Sequence, residues 1–457
     1  MKLRAWYKSL AENKWERRAL VTLFAFIILL PLQRRMQFAS HDTYITGGFT
    51  EYSSYFLYAT DLLLVLFTAL FGASLRSAES LRALIANKAV RVVLVFYAMT
   101  LLLLPFSQQL PHSLYYIVRL FFLIAFGMGV GYFARTFRTQ KTILALLVIS
   151  GVIQSLIAIL QFTLQRSLGL YFLTGESRLS PSIDNVAKVL VDGDRYIRAY
   201  GTLPHPNILA AFLVLSLLAA IALLPRIIEK NRQLLLLAAA TCILVWGLVT
   251  TLSRVSFLYG AIAVAVLSTY VLHVKLQRWN SFHVKRLALT TGLVLVFVAS
   301  LIIANQKFLS ARLTTGNTNG DISKSMREDL SVIANDLIDQ HPIIGTGLNT
   351  IIFDETALRP DQVSWRYQPM HNIYHLILVE GGVATLVALL LLILVALLPN
   401  LRQLKNAPST FRAFSVVALL FLLAIGFYDH FLITLQQGQL MLWLSIGLAL
   451  PPFHKKR

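Results

Sequence analysis

The residues most able to do chemistry are His371 and Asn372, at the head of the run His371-Asn372-Ile373-Tyr374-His375, with Gly381-Gly382 and Thr385 farther along. The pattern predicts that His371 sits on the first turn of a strongly apolar helix, holding a titratable base at a membrane surface. An imidazole has an unperturbed pKa of about 6.5, so small environmental shifts decide whether it takes a proton. Three arginines could complement it: Arg198, Arg254 and Arg327. Their forked donors match phosphate oxygens and stay charged, so two or three of them converging would hold a diphosphate. The plainer reading is snorkelling to lipid headgroups for Arg254 and structural roles for Arg198 and Arg327.

The neighbours of these residues set further expectations. In Arg198-Ala199-Tyr200-Gly201-Thr202-Leu203-Pro204-His205-Pro206-Asn207, the prolines fix an extended entry into the next span, and Asn207 is expected to cap it. Thr251-Leu252-Ser253-Arg254 is too short for a loop, which pins Arg254 where membrane meets outer surface, usually opposite an anion. His375 lies one turn after His371 at metal-ligand spacing, but no third ligand completes a site, so no metal is expected. His205, Asn207, Asn372, His375 and Glu380 are expected to shape the pocket. Asp192-Gly193-Asp194 reads as a polar turn rather than a metal-holding acidic pair. Asp61, Arg119 and Glu380 fall within apolar spans, where an internal ion pair competes with function, and Glu380 could tune the base. The aromatic residues around Tyr52, Tyr55 and Phe56, with Phe353, Trp365 and Tyr367, suit an interfacial belt, with sugar stacking the alternative.

The elements that must position these groups are membrane helices. Of 457 residues, 57% are hydrophobic and only 14% charged, with mean hydropathy +0.67, far from the roughly 25% charged residues of soluble domains. A span needs roughly 17 to 25 apolar residues, which predicts an all-α polytopic membrane protein of about twelve transmembrane helices, near 17–33, 54–74, 89–106, 114–134, 141–163, 207–225, 233–252, 255–274, 286–304, 372–399, 413–430 and 434–451. The N-terminal basic run, including Lys2, Arg4 and Lys8, precedes an apolar stretch without a small-residue cleavage site, so a retained first helix is expected. Arg76, Arg135, Arg226, Lys275, Arg402 and the tail 454–457 mark the side of the N-terminus as cytoplasmic, with both termini there. That pattern accounts for the net charge of +20 without nucleic acid. The single Cys242 excludes a disulfide framework within the chain.

Opposite lie short, weakly charged connections such as Asp429-His430, and two long loops, usually a mark of function or disorder. The chain thus divides into N-terminal spans (1–163), a first extracytoplasmic loop (164–206), central spans (207–304), a second loop (305–371) and C-terminal spans (372–457). Alternating apolar and charged residues from Ser325 to Ile338 predict a surface helix ending in a turn at Pro342 and Gly345-Thr346-Gly347.

From Arg198 onward the chain resembles the O-antigen ligase family, which includes O-antigen polymerases and protein O-oligosaccharyltransferases. The resemblance is carried by Arg198 with Gly201-Thr202 and His205-Pro206-Asn207, by Ser253-Arg254, by Pro342-Ile343-Ile344-Gly345-Thr346-Gly347, and by His371-Asn372 followed after nine residues by Gly382 and then Thr385. It implies a metal- and cofactor-independent inverting glycosyltransferase of the bacterial inner membrane, with its active site facing outward. Such an enzyme moves a glycan from undecaprenyl diphosphate to a hydroxyl, foremost that of lipid A core. By the resemblance His371 activates the acceptor, and Arg198 and Arg254 hold the diphosphate. A polymerase or protein O-glycosylating enzyme is the alternative. A secondary transporter or polysaccharide exporter is the rival of another class, although transporters concentrate polar groups at the midplane rather than at one mouth.

Overall fold

A computed structural model describes residues 11, 13–38, 40–76, 78–276, 278–314 and 319–451. The basic N-terminal run and the tail 454–457 lie outside these residues. Helices fill the twelve stretches expected to span: Lys14–Leu29, Ala59–Ser74, Lys88–Leu102, Leu110–Phe133, Phe137–Leu164, Pro206–Leu223, Asn231–Thr250, Arg254–Leu276, Ser281–Ala304, Ile373–Asn406, Thr410–Ile425 and Gln436–Ala449. Among the described residues eight helices are long and apolar enough to cross a membrane by length and composition, and Ala59–Ser74 and Thr410–Ile425 are shorter apolar helices. The chain is an all-α polytopic membrane protein.

Burial separates the helices by role. Pro206–Leu223 is buried on nearly every face, and packs against Phe137–Leu164, Asn231–Thr250 and Arg254–Leu276 as the axis of the bundle. Ser281–Ala304 is as apolar but buries only Leu301. A helix that is apolar all round and outside the core has lipid as its solvent.

The loops hold structure of their own. Among the described residues a short antiparallel pair joins 35–38 with 55–58, and two tight hairpins join 44–45 with 48–49 and 188–191 with 194–197. The second span therefore begins later than expected, because Tyr55–Tyr58 is a strand and the helix starts at Ala59. Asp192 and Gly193 both have positive φ, 53° and 91°. The acidic pair is thus the tight turn of a hairpin, in the conformation that Asp-Gly favours. The expected surface helix runs over Asn319–Gln340, and its neighbours Gln306–Thr314 and Ile351–Leu358 are also helical.

One helix is broken where the site requires it. Ile373–Asn406 is interrupted at Gly382, whose φ of 65° and ψ of −178° no helix accommodates. The segment 342–347 plugs the break. Thr346 N donates to Val379 O at 3.0 Å and Gly347 N to Glu380 O at 2.9 Å, while Val383 N donates to Pro342 O at 2.9 Å. A helix that loses its own ladder inside an apolar bundle must find other partners for its amides and carbonyls. The two glycine motifs are therefore two halves of one joint. A Cβ at Gly382 would lie 2.1 Å from Ile343 O, and one at Gly345 2.5 Å from Glu380 O, so neither half tolerates a side chain.

Candidate active site

The cationic half of the site is assembled by the two segments that flank Pro206–Leu223 and Arg254–Leu276. Residues 198–202 are fastened to Phe137–Leu164 by two buried amides one helical face apart. Gln161 Oε1 accepts from Tyr200 N and Gly201 N, and Gln154 Oε1 from Thr202 N. Beside them the connection 251–253 turns so tightly that Leu252 has φ 49°. A bulky residue holds that conformation only when its surroundings impose it, and Leu252 is fully buried against Val189 and Val191 of the hairpin. The turn leaves carbonyls free to orient guanidiniums: Arg198 Nε donates to Thr251 O at 2.8 Å and Arg312 Nε to Leu252 O at 3.3 Å.

Arg198 is only 4% exposed, and its Nη2 donates to Asn207 Oδ1 at 2.8 Å. Burial, and then the neighbouring guanidiniums of Arg312 and Arg254, push its pKa down to about 9. Arg312 is lowered for the same two reasons, burial and Arg254. None of the three forms an ion pair with a carboxylate among the described residues. Three like charges gathered in one place, Arg198 buried, Arg312 half-buried and Arg254 exposed, form a site that an anion would relieve.

The histidine half joins this one through Asn207. Asn207 does not cap its helix. His205 does, with Nδ1 accepting from Asn207 N at 3.2 Å, because Pro206 occupies the first helical position. Asn207 is thereby free to accept from Arg198 and from Ser253 Oγ at 3.1 Å, and to donate from Nδ2 to Asp429 Oδ2 at 3.0 Å. Asp429 faces the imidazoles of His430, His371 and His205. Burial works against its charge, but these groups and the Asn207 amide hold its pKa below the ordinary carboxylate value.

His371 does not lie on the first turn; it immediately precedes the helix. Asn372 is the cap, its Oδ1 accepting from Tyr374 N at 2.9 Å and His375 N at 3.2 Å. Ile373 N donates to Gly426 O at 2.8 Å, which ties the start of this helix to the end of Thr410–Ile425 and brings His371 beside residues 429–430. The rings of His371 and His430 meet edge to face at 5.1 Å. His371 Nδ1 is shielded from solvent and has no hydrogen-bond partner among the described residues. Burial lowers the pKa of His371, with Asp429 opposing the fall and Arg327 adding to it. His430 is pushed down to about 3 and His205 to about 4, in both cases chiefly by burial. The imidazoles are thus neutral near pH 7, and Nδ1 of His371 is left unpaired among the described residues.

The other predicted residues fall apart from this arrangement or change part. Arg327 is exposed on Asn319–Gln340 and acts on His371 and His430; the third guanidinium beside Arg198 and Arg254 is Arg312. His375 is half-buried on the first helical turn. Glu380 does not reach the base. Its Oε1 accepts from Thr350 N at 3.1 Å and Ile351 N at 3.3 Å, capping Ile351–Leu358, where a buried carboxylate finds amides and the positive end of the helix. Asp61 and Arg119 form the internal ion pair, at 3.2 Å. Among the described residues no three His, Cys, Asp or Glu side chains are placed to hold a metal ion.

Sequence reasoning missed Arg312, Asp429 and His430. A two-residue polar connection between apolar spans carries no more signal than a turn. A cleft adjoins the cluster, lined by Tyr52, Tyr116, Arg119, Glu380 and Gln439 among others, while His371, Arg198 and Arg254 do not line it.

Residues 239–390 match the family model described as O-antigen ligase. The matched segment contains Arg254, Arg327, Arg312, Glu380 and His371, and ends before Asp429. No curated protein was found to match the chain. Over that segment the match supports a relation to the O-antigen ligase family.

Proposed function

We propose, on the strength of this family match, that the protein transfers a glycan from undecaprenyl diphosphate to an acceptor hydroxyl at the outer face of the bacterial inner membrane, foremost to lipid A core. The observation that carries the reading is a shielded imidazole nitrogen, joined through Asp429 and Asn207 to a cluster of guanidiniums, with neither a hydrogen-bond partner for the nitrogen nor a carboxylate partner for the guanidiniums among the described residues. A base and an anion site are the two things that displacement of a lipid diphosphate needs.

In the proposed step the acceptor oxygen attacks the anomeric carbon from the face opposite the diphosphate. The new C–O bond forms as the bond to the diphosphate oxygen breaks, with inversion. The hydroxyl proton passes to His371 Nδ1, and the Asp429 carboxylate stabilises the resulting imidazolium. The charge released on the diphosphate is taken up by Arg198, Arg254 and Arg312, and the desolvated setting of the buried Arg198 strengthens its share of that interaction. The diphosphate leaves without being protonated.

The test is transfer by purified protein in a bilayer, from an undecaprenyl-diphosphate glycan to core lipid, glycan repeat or peptide. His371→Ala is expected to lower the rate by about 100- to 10,000-fold, the range of general-base catalysis, with expression and membrane insertion intact. Transfer at the wild-type rate by that variant would remove the base. Wild-type protein is expected to use core lipid in preference to the other two acceptors.

A further inference from the structure

The proposed reaction leaves unexplained what holds the acceptor, and the cleft beside the histidines has the chemistry for it. We infer that this cleft is a carbohydrate subsite, which presents a neutral sugar of the acceptor to His371; the inference rests on the reading above for its role but not for its binding.

The first argument is position. The cation cluster reaches His371 through Asn207 and Asp429, whereas the cleft reaches it from another side. Tyr52 lines the cleft and lies edge to face with His430 at 5.3 Å, and His430 meets His371 at 5.1 Å. Thr434 also lines it, with Oγ1 2.7 Å from His430 Nδ1, as does Pro369, two residues before the base. One ring thus separates the cleft from the proposed base, on a flank that the diphosphate site does not occupy.

The second argument is charge. Each ionic group in the wall is already answered within the protein. Arg119 pairs with Asp61 at 3.2 Å, Glu51 pairs with Arg35, and Glu380 is committed to the amides of residues 350 and 351. No net cation is left for a phosphate. Beside aliphatic side chains such as Ile352, Ile377 and Ile433, the wall carries a set of aromatic faces, Tyr52, Phe56, Tyr58, Tyr115 and Tyr116, with the amides of Asn349 and Gln439. Gln439 is 5% exposed and its Oε1 is buried with no hydrogen-bond partner among the described residues. A buried acceptor left open is costly unless a ligand hydroxyl supplies the donor. Aromatic faces with few convergent polar groups form the usual lining of a small-molecule site, and a polyol satisfies both parts.

The test uses full-length protein in nanodiscs with photoreactive alkyl glucosides, galactosides and mannosides carrying a diazirine on the sugar, and a phospholipid carrying the same group. A sugar probe is expected to label the peptides around residues 52–58 and 348–352, competed by excess unlabelled glycoside. Tyr116→Leu is expected to cut that labelling at least tenfold and Asn349→Ala at least fivefold, so a folding failure in one variant leaves the other. Labelling is expected to persist in His371→Ala. Sugar labelling confined to other regions, equal labelling of the cleft by the phospholipid, or unchanged labelling in a folded Tyr116→Leu or Asn349→Ala overturns the subsite. Wild-type transfer by His371→Ala with cleft labelling intact would instead remove the base and leave the subsite standing.

Discussion

At the scale of single residues the least conspicuous pair in the chain, Asp429 and His430, proves central. Asp429 faces three imidazoles and is held by Asn207, so its charge sets how readily His371 takes a proton. Asp429→Asn keeps the shape and can still accept from Asn207, but it removes a charge that raises the pKa of His371. The sign follows directly: without Asp429 the imidazolium is less stable, so protonation needs a lower pH. The acid limb of the pH–rate profile, expected below the ordinary histidine value of about 6.5 in the wild type, should move to still lower pH in the variant. The plateau rate should fall at the same time, because the imidazolium formed in the transition state loses its counter-charge. A lower plateau with an unmoved limb would reduce Asp429 to a structural role. His371, Arg198 and Arg254 were legible because a base and cations at the edges of apolar runs are chemically unusual. Asp429 and His430 were not, since only the contact of Ile373 with Gly426 brings them to His371.

At the scale of elements, the run 342–347 and the Gly382 pattern were both visible in the sequence, but as separate signals. Their relation was hidden because the hydrogen bonds that join them connect residues more than thirty positions apart, and an apolar run through a glycine gives no sign that its helix is broken. Apolar length likewise located twelve helices but not the hairpins, whose strands are four residues or fewer. The joint makes a sharp prediction. Gly382→Ala places a Cβ 2.1 Å from Ile343 O and forces alanine into a conformation reserved for glycine, a backbone cost alone of about 1–3 kcal/mol. Thermal unfolding in detergent should show a clear fall in melting temperature, together with reduced transfer, because the joint sets the helix that His371 precedes. Gly292→Ala, on the exposed face of Ser281–Ala304 with open space around it, should be close to neutral. Equal stability of the two variants would mean that the break at Gly382 is not required.

At the scale of the whole molecule, the proposed chemistry depends on which side of the membrane the cluster faces. The hairpin 188–197, the joint and the histidines all belong to the two long loops and the helix ends that they meet, whereas residues 407–409 connect helices at the opposite ends of Ile373–Asn406 and Thr410–Ile425. Lys405, Arg402 and Arg412 flank that second connection, which by the bias of basic residues should be cytoplasmic. A glycan on undecaprenyl diphosphate that awaits transfer to core lipid would meet the protein on the other face. Cys242 is the only cysteine, so a Cys242→Ser background permits single-cysteine labelling. Asp194→Cys, at the exposed hairpin turn, should react with a membrane-impermeant maleimide in spheroplasts, and Ala407→Cys, also exposed, only after the membrane is opened. The reverse pattern would put the histidines and guanidiniums on the cytoplasmic face and exclude core lipid as the acceptor. Labelling of both positions from outside would break the alternation of the spans between them, and the count of twelve with it.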